Sequence, residues 1–300
     1  MSDWLISLEG TQGGHDLALA LALMAAVLHA LFGALQKGRH DPWLSRAAID
    51  ASYGLIALPF ALFVVPWPEA RMWPILAGVF VIHALYKLLQ AAAYDRGAYT
   101  VVYPVVRGTG PLVTVVLAGV VFGEHFAPGQ WLGVACLSGG ILALAGWNLA
   151  HVQAGRDTLL PALGLAALTG LLVAAYTTYD AWGIRQSPDP FTFLAWFFVI
   201  DSVLMPALTF RRWRALGVQG ILPLLRRGVF GALVAFASFG GIMLATRLDK
   251  VGEAAVLRET STVFAALIGW LVLGERSGRV QVGLMAVIAA GAVLVEWGGR

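Results

Sequence analysis

Val105-Val106-Arg107-Gly108-Thr109, then an apolar run, then Phe122-Gly123-Glu124: this stretch decides the fold, because its order returns in the second half of the chain. The second copy reads Val256-Leu257-Arg258-Glu259-Thr260, an apolar run, then Leu273-Gly274-Glu275. Each copy sets an arginine inside a segment otherwise long and apolar enough to cross a bilayer. A guanidinium at that depth costs roughly 2.5–3.5 kcal/mol on insertion scales, so it must face protein or water rather than lipid. Two such arginines related by an internal repeat predict a shared central site, and membrane proteins built from duplicated halves around such a site are typically transporters.

The composition agrees. Apolar residues make up 59% of the chain and charged residues 12%, and the mean hydropathy is +0.78. A soluble domain carries about a quarter charged residues, so this is an all-α integral membrane protein. The basic balance, with a pI near 9.2, does not point to nucleic acid, because Lys and Arg gather in short loops between apolar segments and read as topology determinants. The lone Cys136 excludes an intrachain disulfide and a thiolate zinc site. Asp3, Glu9 and Asp16 precede the first apolar segment with no Lys or Arg beside them, the wrong charge for a secretory signal, so that segment is expected to remain.

Windows of about 19 mostly apolar residues predict ten spans, near 17–36, 44–66, 72–94, 98–122, 128–149, 158–182, 190–210, 228–247, 253–273 and 279–297. The repeat sets the fourth span on the ninth, which divides the chain into five-span halves, 1–150 and 151–300, within one transport domain. An odd number of spans per copy forces the second copy to enter the bilayer inverted. Basic residues concentrate after odd-numbered spans, Arg211, Arg212, Arg214, Arg226 and Arg227 among them, which places those loops in the cytoplasm and both termini outside.

The five-plus-five arrangement, the Gly-Glu after the fourth and ninth spans and the small-residue-rich spans that follow resemble the EamA family of the drug/metabolite transporter superfamily. The resemblance covers nearly the whole chain. It implies ten helices around a central cavity that opens to one side at a time, no cofactor, and a place in the bacterial cytoplasmic (inner) membrane. It also implies both termini in the cytoplasm, opposite to the charge distribution. Substrate is left open, since relatives export amino acids, sugars, nucleotide-like metabolites and cationic drugs.

Several spans carry polar stripes. In the fourth, Tyr99, Tyr103 and Arg107 recur every four residues and share a face, while Pro104 and Pro111 deprive the carbonyls of Thr100 and Arg107 of their helical partners. The ninth span has no proline at the equivalent Ala255 and Thr262, so the two halves of the site should differ. It places Arg258 beside Glu259, and two readings stand together. An ion pair of Arg107 or Arg258 with Glu259 or Asp201 would close the fold. Alternatively, the guanidinium forks would hold a carboxylate, phosphate or phosphonate of the substrate. On the third span His83, Tyr86 and Lys87 lie on one stripe with Gln90 and Tyr94. On the sixth, Tyr176 is the expected cavity residue, whereas Asp180 reads as interfacial. Asp201, midway along the seventh span, and Glu259 are deep acids able to carry a proton, because burial raises a carboxyl pKa and a nearby arginine lowers it. His29 has two readings, a weaker site candidate or a satisfied interior histidine, and most tryptophans read as interfacial anchors, with Trp196 internal and open to a substrate contact. Gly129, Gly133, Gly139 and Gly140, with Gly283, Ala286 and Ala290, permit close helix contact, either inside a monomer or along a homodimer seam.

The substrate-binding set is thus His83, Tyr86, Lys87, Tyr99, Tyr103, Arg107, Tyr176, Asp201, Arg258 and Glu259, with no catalytic residue and no metal ligand. It fits a secondary exporter of a small polar metabolite with an anionic group, an amino acid or a related compound, and membrane lipid and that substrate as its partners. Flipping of a lipid-linked sugar would need a lateral opening, and cationic drug efflux an unpaired deep acid in an aromatic cage. A membrane-embedded enzyme would need a convergent nucleophile, base and metal set that these scattered residues do not offer. The absence of a Walker motif, a dinucleotide fingerprint or a helical His pair argues against direct ATP coupling.

Overall fold

A computed structural model describes the backbone of residues 2–36, 41–96, 99–151, 156–273 and 278–299. Every regular element among them is helical: α1 (Ser2–Ser7), α2 (Gln12–Gln36), α3 (Pro42–Phe63), α4 (Met72–Arg96), α5 (Tyr99–Phe122), α6 (Pro128–His151), α7 (Arg156–Gln186), α8 (Pro190–Asp201), α9 (Leu204–Ala215), α10 (Gly217–Ala235), a π-turn (Phe236–Gly240), α11 (Gly241–Leu248), α12 (Val251–Arg258), α13 (Ser261–Leu273) and α14 (Arg279–Trp297). Among the described residues nine helical stretches are long and apolar enough to cross a membrane. The remaining expected span, near 253–273, is instead two shorter helices, α12 and α13. Apolar side chains as exposed as Phe63 (84%) and Val120 (78%) form a surface that water would not tolerate and lipid would. The protein is a multi-pass membrane protein.

The helix starts and stops follow from single residues. Asp41 accepts the amides of Trp43 and Leu44 at 2.8 and 3.3 Å, with Pro42 in the first turn of α3. Asp189 does the same for α8, accepting from the Thr192 amide at 2.9 Å ahead of Pro190. Both are N-caps of the kind that supplies an oxygen to otherwise orphaned amides. Gly123 ends α5 in the left-handed region (φ 68°), as a C-cap glycine does; Gly274, expected to do the same, lies outside the described residues.

By Cα packing the chain divides into two compact units, and each draws on both halves of the sequence: residues Met1–Ala84 with Asp180–Leu248, and residues Leu85–Tyr179 with Asp249–Arg300. In the first unit α3 packs against α8, α9 and α10. A Cβ at Gly228 would meet the Ala48 carbonyl oxygen at 2.6 Å and one at Gly231 the Ile49 side chain at 2.7 Å, so glycine is what lets α10 lie this close to α3. Ser238, in the π-turn, donates to the Ala25 carbonyl of α2 at 3.1 Å.

In the second unit α6 and α14 form the most extensive pair of helices. Gly129 faces Gly298, Gly133 faces Gly291 and Val295, and Gly140 faces Ile288, each with backbone or side-chain atoms closer than 3 Å to where a Cβ would stand. These glycines are therefore used inside the monomer, as close-packing positions between membrane helices are.

The recurring Gly-Glu also acquires a physical role here. The Glu124 carboxylate accepts the amides of Val251 and Gly252 at 2.6 and 3.0 Å, which caps α12 at the positive end of its dipole. Glu253 anchors the same end: its carboxylate accepts from Lys250 Nζ at 2.7 Å and Gln130 Nε2 at 2.6 Å. Burial works to lower the Lys250 pKa, but the Glu253 hydrogen bond and charge outweigh it, and the ammonium is held above its ordinary value. Glu124→Ala is expected to cost about 1–2 kcal/mol, the loss of a helix cap, read as a lower thermal unfolding temperature in detergent; an unchanged temperature would refute the capping role.

Candidate functional site

Proline does not break α5. The helix runs from Tyr99 to Phe122 through Pro104 and Pro111, and Thr109 and Thr114 turn their hydroxyls back onto the carbonyls of Val105 and Gly110, both at 2.9 Å. The span that breaks is the one without proline. After Arg258 the backbone tightens, with amides of Glu259, Thr260, Thr262 and Val263 bonding three residues back to Val256, Leu257, Glu259 and Thr260. Thr260 Oγ1 adds a bond to the Leu257 carbonyl at 2.6 Å. A hydroxyl side chain that competes for a backbone partner in this way unsettles a helix interior, and of Thr260, Ser261 and Thr262 it is Thr260 that does so. The Ser261 and Thr262 hydroxyls are buried with no hydrogen-bond partner among the described residues.

This break sets Glu259 against both repeat arginines. Arg107 Nη1 lies 3.1 and 3.3 Å from the two Glu259 carboxylate oxygens. Arg258 reaches Glu259 Oε1 through Nη2 at 3.3 Å and Nε at 3.4 Å, and Nη2 also donates to Thr177 Oγ1 at 3.3 Å. All three side chains are at most 5% exposed. Two guanidinium groups thus share one carboxylate among the described residues, and the triad carries one positive charge in excess. Close approach of α7 to α5 is allowed by Gly170, whose Cβ would stand 2.9 Å from the Val106 carbonyl oxygen and 2.8 Å from Thr109.

Tyrosines surround the triad. The Arg107 guanidinium sits over the Tyr103 ring at 5.3 Å, within cation–π range. Tyr86 and Tyr176 meet edge to face with centroids 5.0 Å apart, and Gln90 Nε2 donates to the Tyr86 hydroxyl at 2.7 Å. Lys87 is buried in the same unit. The Tyr99 and Tyr94 side chains lie outside the described residues.

His83 and Asp201 belong to the other unit, with two partners absent from the expected set. His83 Nε2 is 2.9 Å from Asp180 Oδ2, and its Nδ1 is 3.7 Å from Asp201 Oδ1. The Tyr53 hydroxyl donates to Asp201 Oδ2. Asp201 therefore pairs with histidine and tyrosine, while the arginines take Glu259. Asp180, read as interfacial, is buried at 3% exposure. The sequence signal for Tyr53 was its place on one face of α3 with Arg46 and Asp50, which pair at 2.7 Å; Thr177 was visible beside Tyr176. His29 is an interior histidine packed among Phe32 and Phe239. Trp196 is buried against Trp67 and Trp73, with centroids 5.1 and 5.0 Å away.

Comparison with known proteins gives the site its setting. One relative, the uncharacterized protein y4nH of Sinorhizobium fredii (strain NBRC 101917 / NGR234), is 35% identical over 104 residues, 33% of this chain and 88% of the relative. A crystal structure of a protein 16% identical to this chain superposes with a TM-score of 0.73, covering 97% of this chain and 99% of that one, and shows a shared fold. The family described as the EamA-like transporter family matches twice, over residues 16–146 and 160–297, so that each match contains one of the two arginines. With charged residues sealed among apolar helices and both halves of the chain matched, the protein belongs to the EamA-like transporter family.

Proposed function

We propose that this membrane transporter of small molecules is a secondary exporter whose substrate is a small polar metabolite with an anionic group, an amino acid or a related compound. In this reading ten spans in two inverted repeats expose the binding site alternately to each side of the bacterial inner membrane. The observation that carries it is the triad of Arg107, Arg258 and Glu259, two buried guanidinium groups on one carboxylate. The excess positive charge favours an anion, which can compete with Glu259 for either planar fork. Tyr86, Tyr103 and Tyr176 supply faces for an apolar or aromatic part of the same molecule. Glu259, held by two arginines, is a poor counter-ion for a drug cation, which weighs against the cationic alternative.

The test is a thermal-shift screen of purified protein against amino acids, their decarboxylated amines, sugars and quaternary cations, followed by counterflow of radiolabelled hits in proteoliposomes. A ligand preferring the native state raises the unfolding temperature with its concentration. Amino acids should stabilise and be exchanged, and their amines should not. Stabilisation by amines or cations alone would refute the assignment.

A further inference from the structure

The corner where α9 meets α10 carries more positive charge than the residues around it balance. From its geometry we propose that this corner binds an anionic phospholipid. Arg226 and Arg227, with Arg211 and Arg214 from the adjoining end of α9, hold the headgroup phosphate, and the acyl chains lie on the exposed apolar face of α10. The site is independent of the substrate and of the transport cycle.

Near its end α9 reads Arg211-Arg212-Trp213-Arg214, Gly217 turns the chain in the left-handed region (φ 64°), and α10 reaches Arg226-Arg227 just before the apolar run from Gly228. Both sides of the corner fold back onto the start of α3. Leu224 of α10 packs with Leu44 and Ala48 of α3, and Trp213 and Leu216 close over them. Arg212 pairs with Asp41 at 3.3 Å, and Gly228 faces the Ala48 carbonyl. Asp41 and Ala48 are seven residues apart, about 10 Å along a helix axis. The end of α9 and the Arg226-Arg227 pair therefore flank the same two turns of α3.

The acids of this corner are already taken, Asp41 by Arg212 and Asp50 by Arg46 at 2.7 Å. Among the described residues Arg211, Arg214, Arg226 and Arg227 have no carboxylate partner; Arg214 lies over the Phe210 ring at 5.9 Å. Arg227 is part-buried, and its enclosed Nε has no hydrogen-bond partner among the described residues. A guanidinium with an unmet donor costs free energy that an acceptor would relieve. Charge that only sets topology needs no particular neighbour, but these arginines border lipid. Phe210 precedes Arg211, Leu222 and Leu225 precede Arg226, and Val229, Phe230 and Leu233 follow Arg227, all exposed on helices long and apolar enough to cross the membrane. A molecule that meets cations at one end and an apolar helix face at the other is a phospholipid. The uncompensated positive charge selects an anionic headgroup, and the guanidinium forks match the paired oxygens of a phosphate diester. A zwitterionic lipid brings an ammonium that this corner repels.

The test adds phosphatidylglycerol, phosphatidylcholine with the same acyl chains, or inorganic phosphate to purified protein in a neutral detergent. The unfolding temperature is followed against concentration, and native mass spectrometry counts the lipid retained. Phosphatidylglycerol should stabilise the protein and be retained; phosphatidylcholine and inorganic phosphate should do neither. In Arg226→Gln/Arg227→Gln the affinity for phosphatidylglycerol should fall roughly 30-fold, the share of two basic residues at a bilayer surface. Arg211→Gln/Arg214→Gln, at two exposed positions, should lower it about tenfold, and this pair decides the case if the first does not fold. Arg96→Gln/Arg279→Gln removes the same charge from exposed positions elsewhere and should bind as wild type does. Equal stabilisation by phosphatidylcholine overturns the selectivity for an anion. Inorganic phosphate as effective as phosphatidylglycerol overturns the lipid as occupant. An affinity that ignores both arginine pairs, or falls as far in the control pair, overturns the site.

Discussion

Glu259→Gln is expected to cost about 3–5 kcal/mol of stability, the penalty for breaking a buried ion pair by removing one partner. The wild-type carboxylate takes Arg107 at 3.1 Å and Arg258 at 3.3 Å. An amide in its place leaves two buried cations sharing a neutral group. The loss should be read as an unfolding temperature in detergent well below that of wild type. Arg258→Gln added to Glu259→Gln removes a cation together with the anion, and part of the stability should return, a coupling that a double-mutant cycle measures. A Glu259→Gln protein as stable as wild type would show that the triad is not the sealed charge cluster described above.

Arg107→Gln should do the reverse, sparing the fold and disabling recognition. Arg258 still pairs with Glu259 in that variant, so the charges balance and the stability loss should be clearly smaller than for Glu259→Gln. The excess positive charge, however, is gone. Affinity for an anionic ligand should fall roughly 30- to 1000-fold, equivalent to about 2–4 kcal/mol for one charge-assisted contact in a buried site. Arg107→Lys keeps the charge without the planar fork and should fall between the two. The check is ligand affinity from concentration-dependent thermal shift, paired with counterflow; an affinity unchanged in Arg107→Gln removes Arg107 from the site and with it the argument for an anion.

These two variants separate roles that the linear pattern could not. Arg107 and Arg258 stood out because a guanidinium in an apolar segment is costly wherever it occurs, so their depth and their pairing with an acid were legible. Which acid was not: Glu259 and Asp201 both lie within apolar spans, and Asp201 turned out to belong with His83 and Tyr53. Pro104 and Pro111 pointed to α5 as the broken helix, yet the helix continues through both and the break falls at Glu259 and Thr260. Backbone geometry there involves the Thr260 hydroxyl finding the Leu257 carbonyl and the Glu259 carboxylate reaching across to Arg107 of another helix, contacts that periodicity does not encode. Asp180 shows the same limit, since a residue near the end of an apolar window reads as interfacial until the neighbouring helix is seen to carry a histidine.

From sequence alone came the class of the molecule: a helical membrane protein, duplicated, with an arginine at the matching place in each copy. That much follows from local composition and from the cost of charge in hydrocarbon, which act residue by residue. Tertiary structure decided the pairings, because a carboxylate 152 positions from its arginine is chosen by how helices approach one another, and that approach is set by glycines and caps acting together. It decided as well that Glu124, which as a repeated motif had no evident task, caps the helix bearing Arg258 and so holds one of the two guanidinium groups in place.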